Sequence, residues 1–243
     1  MRAGANDGCG CFPTGHHYPG IAHLLKVLIR GLLSDFAADR NWAEIPIAVL
    51  DVETTGRDAS VDRVVEVGIA VGRGGEIIAR YNWLVNPGVP IPEEVQKVHG
   101  ITDADVKDAP RFEAIAHEIA TALKDCVPAA YNAPFDKAFM VNEFARAKAV
   151  SPALAHDVEW VDPLIWAREI QAEEKSKALG EVAARLGISL ENAHRASDDA
   201  EATLHVLYAL AKDPRVPQSY GALIQEQRRH GNAQQDARRM WRS

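Results

Sequence analysis

Between Ile47 and Val85 the chain passes through three largely apolar, β-branched stretches separated by short gaps, and nothing else in it restricts the fold as much. Ile47–Val52 is almost continuously apolar, as a central strand covered on both faces must be. Arg63–Val71 is rich in valine and reads as a second strand, Gly72–Gly75 supplies a turn, and Ile77–Val85 reads as a third. Strands joined by turns this short can only run antiparallel, so the segment predicts a meander.

Beyond the meander the pattern alternates. Pro87, Pro90 and Pro92 punctuate a loop that leads into a short helical stretch, Glu93–Val98. Phe112–Leu123 has helical period, with Ile115, Ile119 and Leu123 on one side. Val127–Tyr131 reads as a fourth strand, and Pro134 is placed to open a helix running to about Ala149. Val158–Val161 reads as a fifth strand, and helices are expected over 163–171, 178–186 and 197–212. The order predicts an α/β fold: a mixed five-stranded sheet, antiparallel meander plus parallel strands, flanked by helices.

The ends differ from this centre. Residues 1–20 are rich in Gly, Pro and Asn without periodicity, and 21–40 read as an amphipathic helix with Ile21, Leu24, Leu25, Leu28 and Leu32 on one stripe. Residues 1–45 are therefore expected as an N-terminal extension, 46–212 as the main domain and 213–243 as a C-terminal tail. Charge follows the same division: residues 46–212 carry 17 Lys/Arg against 27 Asp/Glu, whereas residues 213–243 carry 6 Arg against 3 acids. With a net charge of −7, a broad grip on duplex phosphates is excluded, while a narrow grip on one strand is not. Cys9, Cys11 and Cys126 are too few and odd in number for a disulfide framework. The start lacks the basic and apolar regions of a secretory signal, and Ile21–Leu33 is too short and too charged to span a bilayer. The expected setting is the cytoplasm, with no membrane partner. Cys9, Cys11, His16 and His17 contain zinc-ligand types, but the Cys spacing is too tight for the usual site and no second pair follows.

Three local features carry chemistry. Asp51-Val52-Glu53-Thr54-Thr55-Gly56 ends the first strand, and strand alternation sets both carboxylates on one face about 7 Å apart. Two acids at the rim of a buried strand repel one another and lose hydration, which a cation between them would relieve. Asn132-Ala133-Pro134-Phe135-Asp136 follows the fourth strand and sets Asp136 in the first turn of a helix. His194-Arg195-Ala196-Ser197-Asp198-Asp199 precedes the last helix of the main domain, with Ser197 as the expected N-cap and His194 on the loop before it. Taken singly, Asp136 and Asp199 are no more than favourable charges at helix starts.

In this order and spacing the set resembles the DEDDh exonucleases, the ribonuclease H-like family that includes the proofreading ε subunit of bacterial DNA polymerase III. The resemblance covers about residues 46–212 and extends to Val98-His99-Gly100-Ile101-Thr102 and Val161-Asp162-Pro163-Leu164. It implies metal ligation by Asp51, Glu53, Asp136 and Asp199, a general base in His194, and a terminal nucleotide lined by Thr54, Thr55, Gly56, His99 and Asn132. Tyr131 stands where many members have His, and Pro163 where many have Thr; these departures bear on substrate preference. The implied cofactors are two Mg²⁺ or Mn²⁺ ions, since an all-oxygen donor set suits hard cations. Such a pair, ~3.5–4 Å apart, activates water and stabilises the leaving 3′ oxygen, releasing nucleoside 5′-monophosphates. Single-stranded DNA is the expected substrate. An exoribonuclease and a non-catalytic nucleic-acid-binding scaffold are the alternatives, and residues 213–243 are the expected surface for a polymerase or other protein partner.

Overall fold

A computed structural model describes residues 31–33, 36–190 and 194–240. Its sheet is built from β1 (Ile47–Thr54), β2 (Val64–Arg73), β3 (Glu76–Leu84) and β4 (Val127–Ala129), in the order β3-β2-β1-β4. The meander is antiparallel as expected. Gly74 and Gly75 both have positive φ, 65° and 88°, the backbone a two-residue hairpin turn requires, so Arg73 pairs directly with Glu76. β4 runs parallel to β1 over Val127–Ala129.

Four strands form where five were expected. Val161 meets Ala129 through a single parallel bridge, because the next residue, Asp162, already caps a helix that opens at Pro163. A proline has no N–H to extend the ladder, so the extended segment stops after one residue pair. β4 is likewise shorter than predicted, because Asn132 takes a left-handed conformation (φ 70°) and turns the chain.

The helices are α1 (Glu93–His99), α2 (Asp103–Val106), α3 (Phe112–Ala122), α4 (Pro134–Arg146), α5 (Pro163–Ile170), α6 (Leu179–Arg185), α7 (Ala196–Leu210) and α8 (Tyr220–Met240). α4 stops short of the predicted Ala149 because Lys148 turns left-handed (φ 53°) and the Ala149 N–H returns to the Phe144 carbonyl, 3.0 Å away. α2 was not foreseen; a capping box between Thr102 and Asp105 holds its one turn.

α7 lies across β1 and β2. Its closeness depends on glycine: a Cβ on Gly68 would sit 2.1 Å from the carbonyl carbon of Ala196, and one on Gly72 would sit 2.5 Å from Leu204 Cδ2. α7 starts at Ala196, with Arg195 as N-cap, rather than being capped by Ser197. The reason lies in β2, where the buried Glu66 carboxylate accepts the Ala196 N–H at 3.1 Å and does the work expected of a local cap.

The stretch expected as a C-terminal tail contains α8, which buries Tyr220, Leu223, Ile224 and Gln227 against the domain. The chain before β1 packs beside it: Leu33 N–H donates to the Tyr220 hydroxyl at 3.2 Å, and Trp42 stacks on Tyr208 while donating to the Pro217 carbonyl at 2.8 Å. Of the helix expected over 21–40, residues 21–30, 34 and 35 lie outside the described residues, while 31–33 and 36–40 form turns and bends. Cys9, Cys11, His16 and His17 also lie outside them. No helix among the described residues is long and apolar enough to cross a membrane.

Candidate active site

The site begins with the register of β1 on β2. Asp51 faces Gly68 and Glu53 faces Glu66, so these four residues share one face of the sheet. Because Gly68 has no side chain, the first turn of α7 settles onto that face beside the β1 acids. Glu66 fixes it there: its carboxylate accepts from Arg195 Nη2 at 2.6 Å, Asn82 Nδ2 at 2.9 Å and the Ala196 N–H. Burial would raise the Glu66 carboxyl, but these hydrogen bonds outweigh it and hold the group below its ordinary range.

α7 thereby delivers Asp199, in its first turn, to the rim of β1. The Asp199 Oδ2 accepts the His194 N–H at 3.0 Å, which pins the turn in which His194 holds a left-handed backbone (φ 69°) and keeps its side chain exposed. α4 delivers Asp136 from the other side. It is 4% exposed, and its Oδ1 accepts the Val52 N–H at 3.1 Å, beyond the last residue that β4 pairs with β1.

Four carboxylates therefore converge on one strand end. Burial raises the Asp51 carboxyl well above the carboxylate range, reinforced by the charges of Asp136, Asp199, Glu53 and Glu66. Burial likewise pushes Glu53 up to about 8, with Asp199, Glu66 and Asp136 adding to it. Asp136 is pushed up to about 8, mainly by burial and against the Val52 hydrogen bond. Asp199 is raised by burial and partly relieved by His194. Glu53, His194 and Asp199 offer ligand atoms all within 4.8 Å of one another, a group able to hold a metal ion. Asp51 and Asp136 are outside that tight triangle, but their charges act on the same space.

The expected nucleotide-lining residues fall into two kinds. Thr54 donates to the Gly56 carbonyl at 2.6 Å and Thr55 accepts the Arg63 N–H at 3.0 Å, so both hydroxyls brace the turn leaving β1. Gly56 lets the Asp62 carboxylate close over the turn, since a Cβ there would sit 2.3 Å from it and the carboxylate would have to move. The half-buried Arg63–Glu143 pair, 2.7 Å, ties the same turn to α4. His99 is buried, its Nδ1 accepts the Ile101 N–H at 3.0 Å, and its Nε2 is buried without a hydrogen-bond partner. Burial lowers the His99 pKa, against a weaker opposing pull from the Thr54 backbone. Asn132 is held in its strained turn by Asp162, whose carboxylate accepts the N–H groups of Asn132 (3.0 Å), Ala133 (3.2 Å) and Leu164 (2.9 Å).

Sequence reasoning assigned no role to Glu66, Gly68, Arg195, Asp162 or Gln227. A signal existed for two of them: Glu66 is the lone acid in an apolar strand with a glycine two residues on, and Asp162 directly precedes a helix-opening proline. Gln227 gave none. It is buried in α8, accepts the Asp162 N–H at 2.8 Å and donates to the Trp160 carbonyl at 2.8 Å.

Known proteins resemble this chain in sequence and in fold. The PolC-type DNA polymerase III of Streptococcus pneumoniae is 33% identical over 196 residues, covering 76% of this chain and 13% of that protein. That of Oceanobacillus iheyensis is 34% identical over 213 residues, covering 83% and 14%. The chain thus spans about an eighth of the length of these relatives. Among solved structures, an E. coli ExoI–ssDNA complex superimposes with a TM-score of 0.60 at 22% identity, covering 70% of this chain and 40% of that one. Exonuclease X in complex with 5′ overhanging duplex DNA gives 0.56 at 21%, covering 73% and 99%. These structural likenesses speak to the fold. Residues 48–207, from the second residue of β1 to the last turn of α7, match the family model RNase_T, and the chain belongs to that exonuclease family.

Proposed function

We propose that the chain removes nucleotides one at a time from the 3′ end of single-stranded DNA. The observation that carries this is the convergence of Asp51, Glu53, Asp136 and Asp199 on one rim with His194 exposed beside them. The donor set fits divalent cations. Each of the four carboxyls is raised above its ordinary range, and bound cations would reverse that penalty by favouring the ionised form. The oxygen ligands favour Mg²⁺ or Mn²⁺, held by the four carboxylates. When bound, the cations supply charge stabilisation at the attacked phosphate and at the leaving 3′ oxygen.

The protein's own groups do the rest. His194, exposed and hinged on the Asp199 hydrogen bond, accepts the proton of the attacking water, the general-base role that imidazole most often fills. Asn132 and His99 contact the terminal nucleotide, His99 through the buried Nε2 that lacks a partner. The Thr54–Gly56 turn shapes the floor beneath it. DNA is favoured over RNA because the relatives are DNA polymerase III proteins and the matched ExoI and exonuclease X structures hold DNA. A cytoplasmic setting, with 46–212 as the catalytic unit, belongs to the same reading.

Purified protein and its Asp51→Ala, Asp199→Ala and His194→Ala variants, assayed on matched single-stranded DNA and RNA with Mg²⁺ and Mn²⁺, test the proposal. The two Asp variants should fold and be inactive. Full activity of His194→Ala across pH 6–9 would remove His194 as the base, and faster digestion of RNA would reassign the substrate.

A further inference from the structure

α8 does more than cover the domain. Between it and α5 runs a groove of about 430 Å³, with Asn132 and Pro134 at one end and Gln235 and Arg238 at the other. Its inner end lies four residues before Asp136, on the loop that Asp162 holds in place. Gln227 clamps the helix to the 160–162 segment through the Asp162 N–H and the Trp160 carbonyl, so the walls are built at a set distance. From Gln227 to Arg238 the helix extends ~16 Å along the groove.

The lining is cationic once its internal pairings are counted. Two acids line it, and both are committed: Glu159 to Arg228 at 2.8 Å, and Asp162 to three backbone N–H groups. Arg168 from α5 and Arg238 from the last turn of α8 have no ion-pair partner among the described residues. The contact of Arg168 with Gln234 is long, 3.5 Å. Burial and the nearby Arg238 charge both lower the Arg168 pKa, against weaker opposing pulls from Asp162 and Tyr131. Amides of Asn232, Gln234 and Gln235 stand beside them. Guanidinium groups flanked by neutral amides match phosphodiester oxygens, which accept paired N–H bonds and carry a single diffuse charge. The placement also puts a cationic strip beside a main domain whose net charge is negative and which as a whole disfavours a polyanion.

We infer that the α5–α8 groove binds the sugar–phosphate backbone of the single strand whose 3′ end lies at the carboxylates, with Arg168 and Arg238 contacting phosphates. This rests on the exonuclease reading above and extends it from the terminal nucleotide to those upstream.

Two measurements on the full chain separate the two claims. In EDTA, where no hydrolysis occurs, anisotropy of a 5′-fluorescein-labelled single-stranded oligonucleotide of about ten residues is followed across a salt series. Arg168→Gln/Arg238→Gln should weaken binding at least about fivefold at low salt and lower the slope of log K against log[salt] by about 1.4, near 0.7 per lost phosphate contact. Gln235→Glu, an exposed change that places a negative charge in the groove, should act in the same direction if the double variant folds poorly. With Mg²⁺, KM of the unaltered chain should fall as the substrate lengthens from about two to about eight nucleotides, and the double variant should lose that dependence. Unaltered affinity and slope in both variants would overturn the inference and leave the groove to a protein partner. If the unaltered chain hydrolyses nothing yet the binding results hold, the exonuclease reading fails and the groove stands.

Discussion

Without metal, the four-carboxylate rim makes the protein less stable as pH rises, and replacing Glu53 by Gln should remove much of that loss. Burial raises the Glu53 carboxyl from an ordinary 4.5 to about 8, so the folded state binds more protons than the unfolded chain between those values. Stability must then fall as pH climbs from about 4.5 to about 8, because the native state alone carries the cost of ionising this group. Moving one carboxyl that far is worth roughly 5 kcal/mol at ~1.4 kcal/mol per pKa unit. Solvent reaches part of Glu53, and it shares its protons' effect with Asp51 and Asp136, so the usable part is ~2 kcal/mol, or ~4–8 °C in Tm for a chain of this size. His99 works the other way: its lowered pKa adds stability as pH rises. Comparing variant with parent cancels that opposing slope. Thermal melts in EDTA from pH 5 to 9 should show the parent losing Tm relative to Glu53→Gln above pH 6, with saturating Mg²⁺ narrowing the gap by stabilising the parent more than the variant. Parallel Tm–pH curves for the two proteins in EDTA would refute the electrostatic reasoning.

Gly68→Ala places a Cβ 2.1 Å from the Ala196 backbone, which forces the start of α7 away from β1. It should cost ~1–3 kcal/mol in thermal stability and, by shifting Asp199 about 1 Å, lower turnover ~10²-fold; parental turnover would contradict the assigned contact. Glu66→Gln keeps one oxygen for the Ala196 N–H but sets an NH₂ against the donors of Arg195 and Asn82, and should lower stability by ~1–3 kcal/mol in denaturant titration. Asp162→Asn sets an NH₂ against one of three N–H groups that now point at a carboxylate. It should raise KM more than it lowers kcat, read by steady-state kinetics on single-stranded DNA, because the Asn132 loop loosens while the carboxylates stay.

The meander was legible because each strand writes its own pattern: β2 is apolar on both faces, and Gly74-Gly75 marks the turn whatever surrounds it. The acids were legible as an ordered set, since Asp51 and Glu53 share a strand face and Asp136 and Asp199 sit at helix starts. What the sequence could not express was contact across elements. Glu66 caps a helix that begins 130 residues later, and local rules therefore assigned the cap to Ser197. The fifth strand failed for a local reason: Val158–Val161 has strand composition, but the cap at Asp162 leaves one residue to pair. Residues 213–243 read as a charged tail because the buried side of α8 is sparse, resting on Tyr220, Leu223, Ile224 and a glutamine whose partners are backbone groups of another loop.

Product analysis of a 5′-labelled single-stranded oligonucleotide tests most directly whether the four acids form a 3′→5′ exonuclease centre. With Mg²⁺ or Mn²⁺ the label should pass through a ladder of strands shortened from the 3′ end, with nucleoside 5′-monophosphates accumulating. EDTA or Asp51→Ala should abolish both. Cleavage that persists in EDTA, internal cuts without a ladder, or immediate release of the labelled 5′ nucleotide would contradict that function for the site.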